Sequence, residues 1–140
     1  MITAAILKAM AEDINDLTID QNAFWEELPL HSDGKPADGL WVVTRGANQG
    51  DAKAINNMTI ADFYIALPDK TKTEALHAEI AAWIRGHRTI CELSGTIGDS
   101  RYSFTNIRIR PATTPSEYGA TANGAIVKLA SAQIYYDINQ

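Results

Sequence analysis

The chain has 140 residues, of which 46% are hydrophobic and 21% charged, and its formal net charge is −5. This length suits one domain over residues 1–140, and the composition is that of an ordinary globular protein rather than a disordered or fibrous chain. No stretch approaches the roughly 18 apolar residues that a membrane-spanning helix needs, so we expect no membrane partner. The acidic balance argues against a dedicated nucleic-acid-binding protein.

Charge is nevertheless distributed unevenly along the chain. Residues 101–140 contain four basic and two acidic residues and so carry +2, which leaves −7 for the first 100 residues. Such an asymmetry is compatible with self-association between unlike faces, and a solvated surface would explain it equally well.

Cys91 is the only cysteine, which excludes an intramolecular disulfide. It lies within Thr89–Leu93, a short run that predicts a strand. Because free cysteines are so often buried, we expect a buried structural thiol here rather than a nucleophile.

The N-terminal segment predicts an amphipathic helix over Ile2–Leu17. Its apolar residues recur at spacings of three and four, opposite several charged residues, and they are Ile2, Ile6, Met10, Ile14 and Leu17. Phe24–Leu30 is apolar but contains a proline, which favours an edge strand or an extended lead-in over a central strand. The stretch 31–39 is dense in turn-forming residues and predicts a loop.

Two strands are predicted in the middle of the chain. Leu40–Thr44 is an apolar, β-branched run typical of an inner strand, and Ile60–Leu67 alternates apolar residues with the period of a strand. Between them, 45–59 is rich in Gly, Asn and Asp. This stretch is compatible with a long hairpin loop or with the ends of two antiparallel strands.

A second helix is predicted directly after the second of these strands. Thr71 and Glu74 have the spacing of a capping box, in which the two side chains bond backbone N–H groups of the first turn. A stripe of apolar residues then recurs at helical spacing, namely Leu76, Ile80, Trp83 and Ile84. Gly86 is placed to end the helix in the left-handed conformation.

The last third of the chain predicts three strands, Thr89–Leu93, Tyr102–Arg110 and Ala125–Ile138, with a second long polar loop over 111–124. Consecutive strands joined by polar loops predict an α+β fold, with a mainly antiparallel mixed β-sheet and two helices packed on one face. Loops as long as 45–59 and 111–124 are uncommon unless they are functional or mobile. Both are therefore candidates for contact with another chain.

The residue pattern predicts no catalytic, metal or cofactor site. His31, His77 and His87 are scattered, and the chain has neither the H-x-x-x-H nor the C-x-x-C spacing of a metal site. The G-x-S-x-G elbow and the phosphate-binding loop are also missing from the sequence. We therefore expect no enzyme and no cofactor, although catalytic groups need not be neighbours in sequence.

One segment has features of single-stranded nucleic-acid binding. On a regular strand, Tyr102, Phe104, Arg108 and Arg110 would share one face, and aromatic rings beside arginines are how single strands are stacked and neutralised. The simpler interpretation is that the two rings cover a sheet edge and the arginines form a solvated outer face. The net charge favours this second interpretation.

Taken together, these elements resemble the tail terminator (tail completion) proteins of long-tailed bacteriophages, which are often labelled minor capsid proteins. The resemblance covers nearly the whole chain. It rests on the N-terminal helix, on the strand pair around Leu40–Thr44 and Ile60–Leu67, and on the helix Thr71–Arg85 that follows at once. The segment Phe63–Leu76 is most similar to the family's passage from strand to helix.

The resemblance implies a structural virion protein of the tail or neck, assembled in the host cytoplasm. Members form a hexameric ring that caps the tail tube, stops its polymerisation and presents a surface for head–tail joining. The implied partners are further copies of the chain, the tail tube protein and the head–tail connector protein. DNA would pass through the lumen without sequence-specific contact. Another head–tail connector or a head-completion protein would look the same in sequence and differ in its partner.

Overall fold

The fold is that of a computed structural model, which describes residues 2–26, 39–48, 57–86, 89–112, 117–120 and 126–138. Side chains are described throughout these ranges except at 45–48 and 117–120. In chain order the elements are α1 (Ile2–Asp13), β1 (Ala23–Trp25), β2 (Gly39–Asn48), β3 (Asn57–Ala66), α2 (Lys70–Gly86), β4 (Thr89–Ile97), β5 (Ser100–Ala112), β6 (Glu117–Ala120) and β7 (Ile126–Ile138).

The strands form one sheet in the order β1-β2-β3-β7-β5-β4, with β6 paired to the start of β7. β1 runs parallel to β2, and the other pairs are antiparallel. The predicted α+β fold with a mainly antiparallel mixed sheet is therefore confirmed. β7 lies at the centre, because it pairs with β3 on one side and with β5 on the other.

Both helices pack against the same face of the sheet, as predicted. Their buried side chains belong to one hydrophobic cluster with alternate residues of the central strands, such as Phe63 on β3 and Ile134 on β7. The helices also meet each other, since the Trp83 indole donates a hydrogen bond to Asp13 Oδ2 over 2.8 Å. α1 contacts β1 and β2 near one edge of the sheet and β4 at the other, so the sheet curls around this helix. We call this side of the sheet the helix face and the opposite side the far face.

Several strands are longer than the sequence predicts. The stretch 45–59 supplies the ends of β2 and β3 at 45–48 and 57–59, while 49–56 lies outside the described residues. β4 and β5 extend until they meet in a two-residue turn, where Gly98 has a left-handed φ of 58°. The prediction of a loop over 111–124 is wrong at 111–112, which belong to β5, and at 117–120, which form β6.

In the N-terminal part, the predicted apolar residues are buried, but the helix is shorter than predicted. α1 ends at Asp13, and the chain continues in a turn whose Leu17 N–H donates to the Ile14 carbonyl oxygen at 3.1 Å. Ile14 and Leu17 are still buried, so their spacing predicted the buried side correctly. β1 is an edge strand, as predicted, but it is only 3 residues long. The rest of the predicted segment, at 27–30, and the predicted loop up to residue 38 lie outside the described part of the chain.

The start of α2 differs from the predicted capping box. The Asp69 carboxylate accepts a hydrogen bond from the backbone N–H of Thr71 at 2.9 Å, which makes Asp69 the N-cap. Thr73 anchors the same turn, because its hydroxyl oxygen accepts a bond from the Leu67 N–H at 3.0 Å. Glu74 is exposed and approaches Lys70 at 4.0 Å instead of reaching back to the cap.

The rest of α2 mixes one confirmed and one wrong prediction. The apolar stripe Leu76, Ile80, Trp83 and Ile84 is buried against the sheet, as its spacing predicted. Gly86 is the last helical residue, but it does not adopt the left-handed conformation that we expected.

Asp69→Ala is expected to lower the free energy of unfolding by about 1 kcal/mol, because the amide of Thr71 loses its acceptor. Thr71→Ala is the matched control, since Thr71 contributes its backbone N–H to this cap, and we expect a change within about 0.5 kcal/mol. Urea unfolding followed by circular dichroism measures both. A larger loss for Thr71→Ala than for Asp69→Ala would support the capping box instead.

Candidate interaction surface

A bulge in β5 decides which side chains can form a surface. The register between β5 and β7 shifts between Thr105 and Arg108. Within this shift Asn106 has a φ of 50°, and its side-chain amide donates to Asp137 Oδ2 at 2.9 Å. Because the bulge interrupts the strict alternation of the strand, even-numbered residues before and after it point to opposite faces.

Tyr102 and Phe104, before the bulge, lie in the hydrophobic core on the helix face. They are 8% and 6% exposed. Their rings stack on each other with centroids 5.8 Å apart, and Phe104 meets Tyr136 edge-on at 5.2 Å. These two rings are therefore unavailable for stacking bases, which was the less favoured of the two interpretations of this segment.

Arg108 and Arg110, after the bulge, are exposed on the far face. Their guanidinium carbons lie 5.6 and 5.9 Å from the ring centroid of Tyr135. Tyr135 and Tyr136 are neighbours on β7, so their side chains point to opposite faces of the sheet. The four residues that the sequence places on one face are thus divided between two, and the arginines are paired with an aromatic ring that the sequence analysis did not single out.

The far face is rich in apolar and aromatic side chains. Trp41 on β2 stacks on Tyr64 on β3, with ring centroids 5.2 Å apart and an angle of 15° between the planes. Met58 and Ile60 lie further along β3, and Tyr135 is directly opposite Met58 on β7. All five side chains are half-buried. We define the far-face patch as Trp41, Met58, Ile60, Tyr64 and Tyr135 together with Arg108 and Arg110.

Sequence reasoning missed this patch although a signal for it was present. β2 and β3 carry apolar residues at consecutive positions, such as Trp41 beside Val42 and Tyr64 beside Ile65. A strand with one solvated face should alternate apolar with polar residues. Continuous apolar runs in a sheet whose helices pack on one side therefore indicate a second apolar face.

A buried polar pair joins the two central strands next to the patch. Asp62 on β3 and Ser131 on β7 are cross-strand partners, 2% and 4% exposed, and the serine hydroxyl donates to Asp62 Oδ1. A serine beside a carboxylate could suggest a nucleophile, but this hydroxyl is buried and a substrate would not reach it. We interpret the pair as a structural contact that fixes how β3 and β7 align.

The helix side offers clefts, one of which is lined by several carboxylates. One cleft of about 580 Å³ lies between the end of α1 and α2, with Asp13, Asp16 and Glu79 in its lining. Within the described ranges, no three His, Cys, Asp or Glu side chains are grouped so that they could hold a metal ion. His77 on α2 lies with Nε2 at 3.1 Å from the Leu129 carbonyl oxygen. His31 and His87 lie outside the described residues.

Cys91 contradicts its prediction, because it is exposed on β4 rather than buried. β4 is the outermost strand after β5, and most of its side chains face solvent. The short apolar run around Cys91 could not show this, since it does not distinguish an edge strand from an inner one.

Comparison with known proteins gives no match: neither a protein-family model nor a curated protein corresponds to this sequence. The similarity to tail terminator proteins accordingly stays a prediction. In the described part of the chain, α1 and α2 lack the length and apolar character that would let a helix cross a membrane.

Phe104→Ala is expected to lower the free energy of unfolding by about 3–5 kcal/mol, because it leaves a cavity in the core. Arg110→Ala removes an exposed side chain on the far face and should change that free energy by no more than about 0.5 kcal/mol. Denaturant unfolding of both variants is the measurement. Similar small losses for both would show that Phe104 is a surface residue and that the bulge does not divide the strand.

Proposed function

We propose that this protein is a structural component of a phage tail or neck, of the tail terminator type that its sequence resembles. Copies of the chain form a ring, hexameric in that family, that caps the tail tube, stops its polymerisation and offers the surface for head–tail joining. Its partners are further copies of itself, the tail tube protein and the head–tail connector protein. It belongs to the virion, and DNA passes through the lumen of the ring.

The apolar character of the far face supports this proposal. A sheet with helices on one side usually turns polar side chains towards water on the other. Here Trp41, Ile60 and Tyr64 are half-buried on that side, on neighbouring strands. Large apolar groups of this kind release free energy when another chain covers them, at about 25 cal/mol per Å² of apolar surface removed from water. Assembly into a larger particle supplies that cover.

The mixture of rings and cations on the far-face patch also suits a protein interface. Aromatic residues and arginine are enriched at interfaces, because both bury large surfaces while keeping directional contacts. Arg108 and Arg110 lie over the Tyr135 ring and so are partly ordered before any partner arrives. A head-completion protein would need the same properties and would differ only in which neck component it contacts.

Single-stranded nucleic-acid binding is the second candidate, favoured by one observation on the far face. Tyr135 is half-buried, and the guanidinium groups of Arg108 and Arg110 lie over its ring, so an aromatic ring and two cations that could neutralise phosphates are close together. Tyr102 and Phe104, which this alternative included at the level of sequence, are buried and cannot take part. This candidate predicts an affinity that falls steeply with salt and falls again when both arginines are replaced.

The proposed assembly predicts rings of the purified chain, which light scattering across a concentration series and negative-stain imaging would detect. To test assembly on a template as well, the same protein is also added to growing tubes of the tail tube protein of the same phage. We expect tube growth to stop once the protein is added. Tyr64→Asp, which places a charge in the far-face patch, should reduce both ring formation and the arrest of tube growth. Glu74→Asp, on the exposed side of α2, is the control.

Two results would contradict the proposal. One is a monomer at all concentrations combined with tubes that grow to the same length with and without the protein. The other is salt-sensitive binding of an oligonucleotide by a monomer that has no effect on tubes, which would favour the second candidate.

A further inference from the structure

β4 is an edge strand that lacks the features by which proteins usually protect an edge. It is 9 residues long, and no described strand lies beyond it. It contains neither lysine nor proline, and Glu92 is its only charged residue. Its exposed side chains are Thr89, Cys91, Glu92, Ser94 and Thr96. The N–H and C=O groups along such an edge pair readily with a strand of another chain.

At the opposite edge of the sheet, Ala23 of β1 bonds a neighbouring segment of its own chain. At β1, the Ala23 N–H donates to the Thr18 carbonyl oxygen at 3.2 Å, and the Asp20 N–H donates to the Ala23 carbonyl oxygen at 2.9 Å. β6 is only 4 residues long. Within the described ranges β4 is longer than the edge strands β1 and β6, and in a second copy β4 itself offers a matching edge. A contact between identical surfaces relates the two copies by a two-fold axis.

We propose that β4 pairs antiparallel with β4 of a second copy, with Ser94 at the two-fold axis. In this register Glu92 of each copy lies opposite Thr96 of the other, so the two carboxylates do not face each other. A register centred on Glu92 would place like charges directly opposite, which is destabilising.

The helix-face side chains of β4 favour the same register. Leu93 of each copy lies opposite Gly95 of the other. At Gly95 the Tyr102 hydroxyl is 2.9 Å from where a Cβ would lie, so the Tyr102 side chain covers this position. Leu93 of the second copy therefore meets no side chain of Gly95 itself and packs against the Tyr102 ring that covers it. The pairing extends the sheet across two chains and buries the apolar residues of both edges.

This contact goes beyond the proposed ring and does not depend on it. A ring is built from contacts between unlike surfaces, whereas the β4 contact joins like surfaces. Protein that forms rings would be joined into two rings face to face, and protein that forms none would be a dimer. In both cases, disrupting the β4 contact should separate the particle into two equal halves.

Ser94→Lys tests the contact by placing two like charges opposite each other at the axis. The expected result in light scattering is a two-fold fall in particle mass, with any rings keeping their shape in negative stain. Thr71→Lys, on the exposed side of α2, adds the same charge away from β4 and should leave the particle mass unchanged. If the Ser94→Lys particle has the same mass as the unchanged protein, the β4 contact is overturned and the proposed ring is unaffected. If neither protein forms rings, that result contradicts the proposed ring and says nothing about the β4 contact.

Cysteine cross-linking tests the register in a way that does not rely on Ser94→Lys folding normally. In a Cys91→Ser background, Ser94→Cys should form a disulfide with its own copy under mild oxidation. Glu92→Cys and Thr96→Cys should each cross-link poorly alone, and well when the two variants are mixed, because the proposed register places them opposite each other. Thr71→Cys is the control for random collision. A mixture that cross-links no faster than its separate components overturns the proposed register.

Discussion

The central position of β7 is the constraint on which the rest of the fold depends. β2 with β3, and β4 with β5, are local hairpins, but each joins the sheet only by pairing with the last strand of the chain. Asp62 and Ser131 meet across β3 and β7, although they are 69 positions apart in sequence. A slip of one residue would turn Asp62 towards the hydrophobic core, so this buried pair specifies the register as well as stabilising it.

From β7 the division of the sheet into two unlike faces follows directly. Ile134 and Tyr136 point into the core that both helices cover, whereas Tyr135 points to the far face. The bulge at Asn106 lets β5 follow the same division, with Phe104 on one side and the arginines on the other. The aromatic side chains of the sheet thus have two different roles, according to the face on which they lie. Those of the helix face hold the domain together, and those of the far face remain available to another chain.

What the sequence could predict was set by local periodicity. The stripe around Ile80 and the last strand depend on spacing alone, and both were recognised. Asp69 rather than Thr71 is the N-cap because of the path of the chain from β3 into α2. This path is fixed by the hydrogen bond from the Leu67 N–H to the Thr73 hydroxyl oxygen. The bulge depends on a bond between Asn106 and Asp137, 31 residues away. The exposure of β4 depends on which strand lies beyond it, and one strand's sequence does not contain that information.

The two surfaces offered to other chains are geometrically independent, and this bears on how an assembly could be built. Backbone pairing at β4 extends the sheet within its own plane, whereas contact with the far-face patch occurs along the perpendicular to that plane. Occupying one surface therefore leaves the other accessible. The β4 edge is recognised by hydrogen bonds that any extended strand can make, and the patch by the shapes of particular rings. A partner that must be specific is consequently expected at the patch around Tyr64 and Tyr135, and a second copy of the chain at the edge.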